Sequence, residues 1–220
     1  MIIDLHVHEK RHSNDSILSL EDAVWQARKL GLDGICITDH DNDDIREFAK
    51  DYSEEVQFPI FVGAEILTTE GDFVVFGLNK IPKEILSAQE LLSMVEEDGG
   101  VAIAAHPYRN TFRSIGDWNY TLDGFWAVEA FNGTTDTKKN EQAVFMARDI
   151  NMPMVGASDA HKIGDLGKMA TRFFVEIHSE KDLIKAIKSR QVSPVQWTKE
   201  GYKQLTKTHV KEDLMVANNL

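Results

Sequence analysis

Short apolar runs rich in Val, Ile and Phe, each followed by a longer stretch of helical periodicity, restrict what this chain can fold into more than any other feature. The runs are "IIDLHV", "GICIT", "IFVGAE", "VAIAAH", "FWAVEAF", "MPMVGAS" and "RFFVEI". Helical segments begin near Ser19, Asn42, Ser87, Thr137 and Ser179. Ser87 with Glu90 has the spacing of a capping box, and Ser19 with Asp22 and Ser179 with Asp182 are weaker versions of it. The run "EGDFVVFGL" follows "IFVGAEILTT" too closely for a crossover helix, so it reads as a hairpin partner or an edge extension. The alternation specifies an α/β fold of about seven strand and helix units, enough to close a barrel or fill a wide sheet.

With 220 residues, 42% of them hydrophobic, the chain can bury one substantial core. No linker divides it. Residues 1–197 are expected to form one domain, and the polar, poorly periodic 198–220 a C-terminal extension. Lys and Arg number 24 against 36 Asp and Glu, a formal charge of -12. That balance argues against long nucleic acid or anionic membrane as a partner. Cys36 is the only cysteine and lies inside "GICIT", which excludes an intrachain disulfide and a thiolate cluster and suits a small core residue. The opening "MIIDLHVHEK" lacks the pattern of a secretion signal. No segment reaches the roughly 20 apolar residues that span a bilayer. A cytoplasmic location is therefore expected, while the oligomeric state has no signature.

Ligand-type side chains gather at the ends of the apolar runs. His6 and His8 close the first, and on a strand side chains two apart point to the same side, so the pair presents two imidazoles to one point. Asp39 and His40 in "TDHD" close the second, Glu65 in "GAE" the third, His106 in "AHP" the next, and Asp159 with His161 in "SDAH" a later one. In parallel α/β architectures this C-terminal edge is where active sites assemble. Five of the eight histidines fall there, which makes chance a poor account. Singly, Asp39, His40 and Asp159 could equally cap the elements that follow. Glu65 is harder to dismiss, because a carboxylate after "IFVGA" is costly to desolvate unless paired or bound to a cation.

In "DLHVH" with "SNDS", then "TDHD", "GAE", "AHP" and "SDAH", the sequence resembles the polymerase and histidinol phosphatase (PHP) family of metal-dependent phosphoesterases. The later "MATRFFVEIHSEKDLIKAIKSRQV" is similar to that family's closing strand and helix, so the likeness covers nearly the whole chain. The resemblance implies a distorted (β/α)7 barrel with two or three divalent ions, Mn, Zn or Fe, at its mouth. It makes His6, His8, Glu65 and Asp159 the ligands of one ion, with Glu65 bridging to a second held by His106. Asp15, His40 and His161 would hold a third. Two departures stand out. Asp15 follows His8 by seven residues, a longer gap than in many relatives, which leaves His12 as a competitor. In "VEAFNG", Glu129 and Asn132 stand where some relatives carry a further histidine.

Ligands of imidazole and carboxylate alone suit Mn, Fe and Zn. Adjacent ions of this kind would turn a shared water into hydroxide and offset charge on a phosphoryl group, so no protein nucleophile is needed. His161, His40 or water could protonate the leaving group. Arg109 in "AHPYRN" is the expected phosphate grip, with Arg113 second. Asp4 and Asp39 are candidates to orient ligands or protons, and Trp118 and Trp126 could stack on a substrate or pack in the core. The expected activity is that of a phosphatase for a small phosphate monoester, such as histidinol phosphate or a nucleotide. Alternatives are a metal-binding domain without turnover and a metal-dependent hydrolase of carbon-nitrogen bonds.

Overall fold

The structure is a computed structural model and describes residues 1–205. Along the chain lie β1 (Ile2–Val7), α1 (Leu20–Leu30), β2 (Gly34–Ile37), α2 (Arg46–Val56), β3 (Ile60–Val62), β4 (Ala64–Leu67) and β5 (Asp72–Phe76). They are followed by α3 (Ala88–Glu97), β6 (Val101–Ala104), a 3-10 turn (Gly116–Tyr120), β7 (Ala127–Asn132), α4 (Thr137–Asp149) and β8 (Met154–Ala157). Then come β9 (Met169–Phe173), α5 (Glu180–Lys188), β10 (Val192–Thr198) and β11 (Gly201–Gln204).

Local chemistry sets the helix starts. Ser19, Ser87, Asp136 and Ser179 each accept a backbone N–H of the first turn, and Ser87 with Glu90 completes a capping box. The helix expected near Asn42 begins only at Arg46. Asn42 instead donates its amide to the carbonyls of His40 and His12, at 2.8 and 3.2 Å, and so ties two loops at the site.

Two sheets carry the fold, in the orders β11-β10-β9-β1-β2-β3 and β4-β5-β6-β7-β8. β1, β2 and β3 are parallel, as are β6, β7 and β8, whereas β4, β5 and β6 run antiparallel in sequence. "EGDFVVFGL" thus forms the expected hairpin with β4, but pairing on its other side with β6 makes it an interior strand. The run "IFVGAE" divides at Gly63, with β3 in one sheet and β4 in the other. A Cβ there would strike the Val75 carbonyl oxygen and come within 2.7 Å of the Phe76 ring, so only glycine fits the crossing point. Isolated parallel bridges, Val7 to Ala160 and His40 to Glu65, link the sheets. The fold is therefore mixed α/β, with five α-helices among the described residues rather than seven regular units on one continuous ladder.

Between the sheets lies a central core that includes Ile3, Leu5, Cys36, Phe76, Ile103, Ala127 and Val155, with Leu183 and Ile187 of α5 packed into it. α1 and α2 pack outside the first sheet, and α3 and α4 outside the second. Ile3 and Leu5 face the central core while Val7 faces outward, and the β1–β2 register shifts between Asp4 and Val7. This bulge puts one extra residue into β1 and turns His6 and His8 inward, the side that Ile3 and Leu5 face. A second register shift, between Glu129 and Phe131, acts on β7. The boundary expected at 197 falls inside β10, and β11 pairs with β10 as an edge strand. The remainder of the proposed extension, 206–220, lies outside the described residues. Among those described, no helix is long and apolar enough to cross a membrane.

Candidate metal centre

His6, His8, Glu65 and Asp159 come together as the resemblance implied, all at most 1% exposed. His6 Nε2 lies 3.0 Å from His8 Nε2, 3.5 Å from Glu65 Oε2 and 3.6 Å from Asp159 Oδ1. His8 Nε2 lies 3.4 Å from Glu65 Oε2 and 3.3 Å from Asp159 Oδ1. Four donors around a tetrahedral ion at 2.0–2.2 Å would stand roughly 3.3–3.6 Å apart. The four imidazole–carboxylate separations fit a divalent ion at this point, and the two imidazoles stand slightly closer than that spacing.

The hydrogen bonds on the far side of each ring say why positive charge is needed. His6 Nδ1 donates to Glu129 Oε1 at 3.0 Å. His8 Nδ1 donates to Ser13 Oγ at 3.3 Å, and Ser13 passes its own proton to Asp39 Oδ1 at 2.7 Å. With both Nδ1 atoms used as donors, the two Nε2 atoms point at each other and at two carboxylates. Positive charge makes that arrangement favourable, supplied by an ion between them or by a proton on His6. Burial pulls His6 down, but Asp159, Glu129 and Glu65 outweigh it and hold the ring well above the usual imidazole range. Burial carries His8 down to about 4. For Glu65 and Asp159, burial is overcome by the imidazoles, His6 foremost, and both carboxylates are held well below their ordinary range.

Two further groups adjoin the first. His8, His40 and His161 bring one ring nitrogen each within 4.8 Å of one another. Asp15 Oδ2 stands 3.1 Å from His40 Nε2 and 3.2 Å from His161 Nε2. The long loop therefore still delivers Asp15 to the place the resemblance gave it, while His12 turns to the buried Glu9, 3.9 Å away. On the other side, His106 Nε2 lies 2.7 Å from Glu65 Oε1. Its Nδ1 is buried without a hydrogen-bond partner. Both His106 and Asp159 hold positive φ, 28° and 54°, conformations that non-glycine residues keep only when the surroundings impose them.

The arginines answer to these carboxylates. Arg109 pairs with Asp159 and donates to Asn132 Oδ1 at 2.8 Å. Arg113 Nε donates to Asp72 Oδ2 at 2.6 Å, and its Nη2 lies 3.0 Å from His40 Nδ1. Both cations thus border the cluster. Asn132 uses its other end to donate to Glu129 and Asp159, at 3.0 and 3.2 Å. Asp39 acts on His8 through Ser13, whereas Asp4 meets a ligand residue only at the His6 backbone N–H, 3.4 Å away. It accepts the Ser158 and Gly167 backbone N–H groups and pins β1 to the segment after β8. Trp118 is exposed in the 3-10 turn, and Trp126 packs on the central core under Lys188.

Two contributors went unmarked in the sequence, Ser13 as a relay and Asp72 beside His106, and Glu129, noted there only for its position, is the partner of His6. Asp72 carried one legible hint. Like Glu65, it is a carboxylate set against an apolar run, "DFVVF", and it is fully buried.

Comparisons with known proteins bear on the family and the fold. A family model described as PHP-associated matches residues 137–192. An uncharacterized protein of Methanocaldococcus jannaschii is 34% identical over 142 residues, 60% of this chain and 82% of that one. A solved structure from Bifidobacterium adolescentis, assigned as a metal-dependent phosphoesterase, superposes with a TM-score of 0.63 at 18% identity, covering 86% of this chain and 96% of its own. A lesion-specific endonuclease of Pyrococcus furiosus gives a TM-score of 0.66 at 17% identity, over 86% of this chain and 56% of that one.

Proposed function

This chain belongs to the PHP family of metal-dependent phosphoesterases, and from that premise we propose that it is a phosphatase for small phosphate monoesters, holding two or three Mn, Zn or Fe ions. The observation that carries the reading is the convergence of His6, His8, Glu65 and Asp159 at ligand spacing, with Glu65 also against His106 and His40. The bridges from Val7 to Ala160 and His40 to Glu65 support treating the two sheets as halves of one distorted (β/α)7 barrel with the cluster at its mouth.

When bound, the ions supply the charge that activates water and draws in a phosphoryl group. Glu129 and Ser13 engage the Nδ1 atoms of His6 and His8 and so aim both Nε2 atoms inward. Arg109 and Arg113, each about a quarter exposed, offer guanidinium donors to phosphate oxygens at the border of the cluster, one beside Asp159 and the other beside Asp72. His40 and His161 reach solvent, at 22% and 27% exposure, and the leaving oxygen would take its proton from whichever of them holds no ion, or from water.

Endonuclease-like cleavage of damaged DNA is the rival reading, favoured by the likeness to the Pyrococcus furiosus enzyme. The charge of -12 weighs against it. The deciding experiment measures phosphate release from a panel of metabolite monoesters by protein of known metal content, alongside cleavage of intact and lesion-bearing duplex. Turnover of a monoester far above that of DNA supports the reading, and the reverse order overturns it. A cytoplasmic location is part of the same proposal.

A further inference from the structure

Asp72 opens β5 with its carboxylate fully buried. Arg113 holds Oδ2, and Oδ1 has no hydrogen-bond partner. An oxygen sealed from water in this way is costly unless something positive approaches it. His106 Nε2 lies 4.0 Å from Asp72 Oδ2 and 2.7 Å from Glu65 Oε1. One donor atom from each of Glu65, Asp72 and His106 falls within 4.8 Å of the other two.

Asn132, which stands where some relatives carry a further histidine, is already committed. Its Oδ1 accepts from Arg109 and from the Thr134 backbone, and its Nδ2 donates to Glu129 and Asp159. We propose that Asp72 is a ligand of the ion shared by Glu65 and His106, making that position a site of two carboxylates and one imidazole. The assignment rests on the metal-dependent reading above and adds a ligand to it.

A chemical asymmetry follows from the donor sets. The first group offers two imidazoles and two carboxylates, whereas the Asp72 group is richer in oxygen. Hard oxygen donors favour Mn over Zn relative to a nitrogen-rich shell. Arg113 fits the same scheme, because it anchors the carboxylate through Oδ2, the oxygen 4.0 Å from His106 Nε2, beside the other two ligands.

The test is metal stoichiometry on the full chain. Parent, Asp72→Asn and Arg113→Met are reconstituted with Mn or Zn, followed by elemental analysis and calorimetric titration. Asp72→Asn is expected to carry one ion fewer than the parent, or to bind its weakest ion at least about tenfold less tightly, with the loss greater for Mn. Arg113→Met keeps the carboxylate and is expected to keep every ion. An unchanged ion complement in Asp72→Asn overturns the assignment. So does equal ion loss in both variants, which would make Asp72 only a holder of Arg113. Should Asp72→Asn not fold, Asp72→Glu decides: a changed affinity of the weakest ion with the others unaltered supports Asp72 as a ligand, and unchanged affinity at every ion overturns it. Phosphate release by the parent, assayed in parallel, tests the phosphatase reading separately, since a parent that fills its sites yet cleaves no monoester refutes that reading without touching the ligand count.

Discussion

The Glu129 carboxylate lies 3.0 Å from His6 Nδ1 through one oxygen, while the other accepts the backbone N–H of His106 at 2.8 Å. One buried group on β7 thus sets the tautomer of a residue on β1 and the position of the loop after β6. Removing it frees the ring to protonate at Nε2 and releases the His106 backbone. Glu129→Ala is expected to weaken ion binding about 10- to 100-fold, with Glu129→Gln less damaging, as competition titration with a chelating dye would show. Equal affinity in all three proteins contradicts this role.

His8 contributes to the four-donor group and to the group with His40 and His161. His8→Ala is therefore expected to lower occupancy at two positions, detected as a drop in metal content per chain after identical reconstitution. Because ions bind the folded chain preferentially, stripping them also lowers stability. A single site held at 100 times its Kd contributes about 2.7 kcal/mol, so chelator should lower the thermal midpoint of the parent more than that of His8→Ala.

Gly63 marks the point where the chain leaves one sheet for the other, two residues before Glu65. Gly63→Ala would force a Cβ against the Val75 carbonyl and the Phe76 ring. The expected cost is about 1–3 kcal/mol in chemical denaturation, together with weaker metal binding because Glu65 moves with the strand. An unaltered midpoint would show that β4 yields without strain.

Ser87 and Glu90 give a pH-dependent prediction away from the metal ligands. Hydrogen bonds from the Ser87 hydroxyl and backbone N–H lower the Glu90 carboxyl below its ordinary 4.5. A depressed carboxylate contributes stability that is present above pH 4.5 and is lost as pH falls through the lower folded value. Ser87→Ala is expected to destabilise the protein near neutral pH, with the gap to the parent narrowing in acid. Urea unfolding of both proteins across pH 3 to 7 checks the sign.

The sequence by itself determined the strand and helix alternation, four of the five helix starts, and the residues that meet at one edge. Those features are local: period-2 and period-3.6 patterning, side chains that cap their own helix, and ligand-type residues at strand ends are all written within a few positions of one another. Tertiary structure decided the rest. The bulge in β1 that turns His6 inward depends on pairing with β2, and the division at Gly63 depends on β5 packing across it. Ser13, Glu129 and Asp72 acquire their roles from partners 26, 123 and 41 residues away in sequence, namely Asp39, His6 and Arg113. A hydrogen bond to a distant residue leaves no periodic trace in the chain, because its geometry exists only once separate strands are brought side by side.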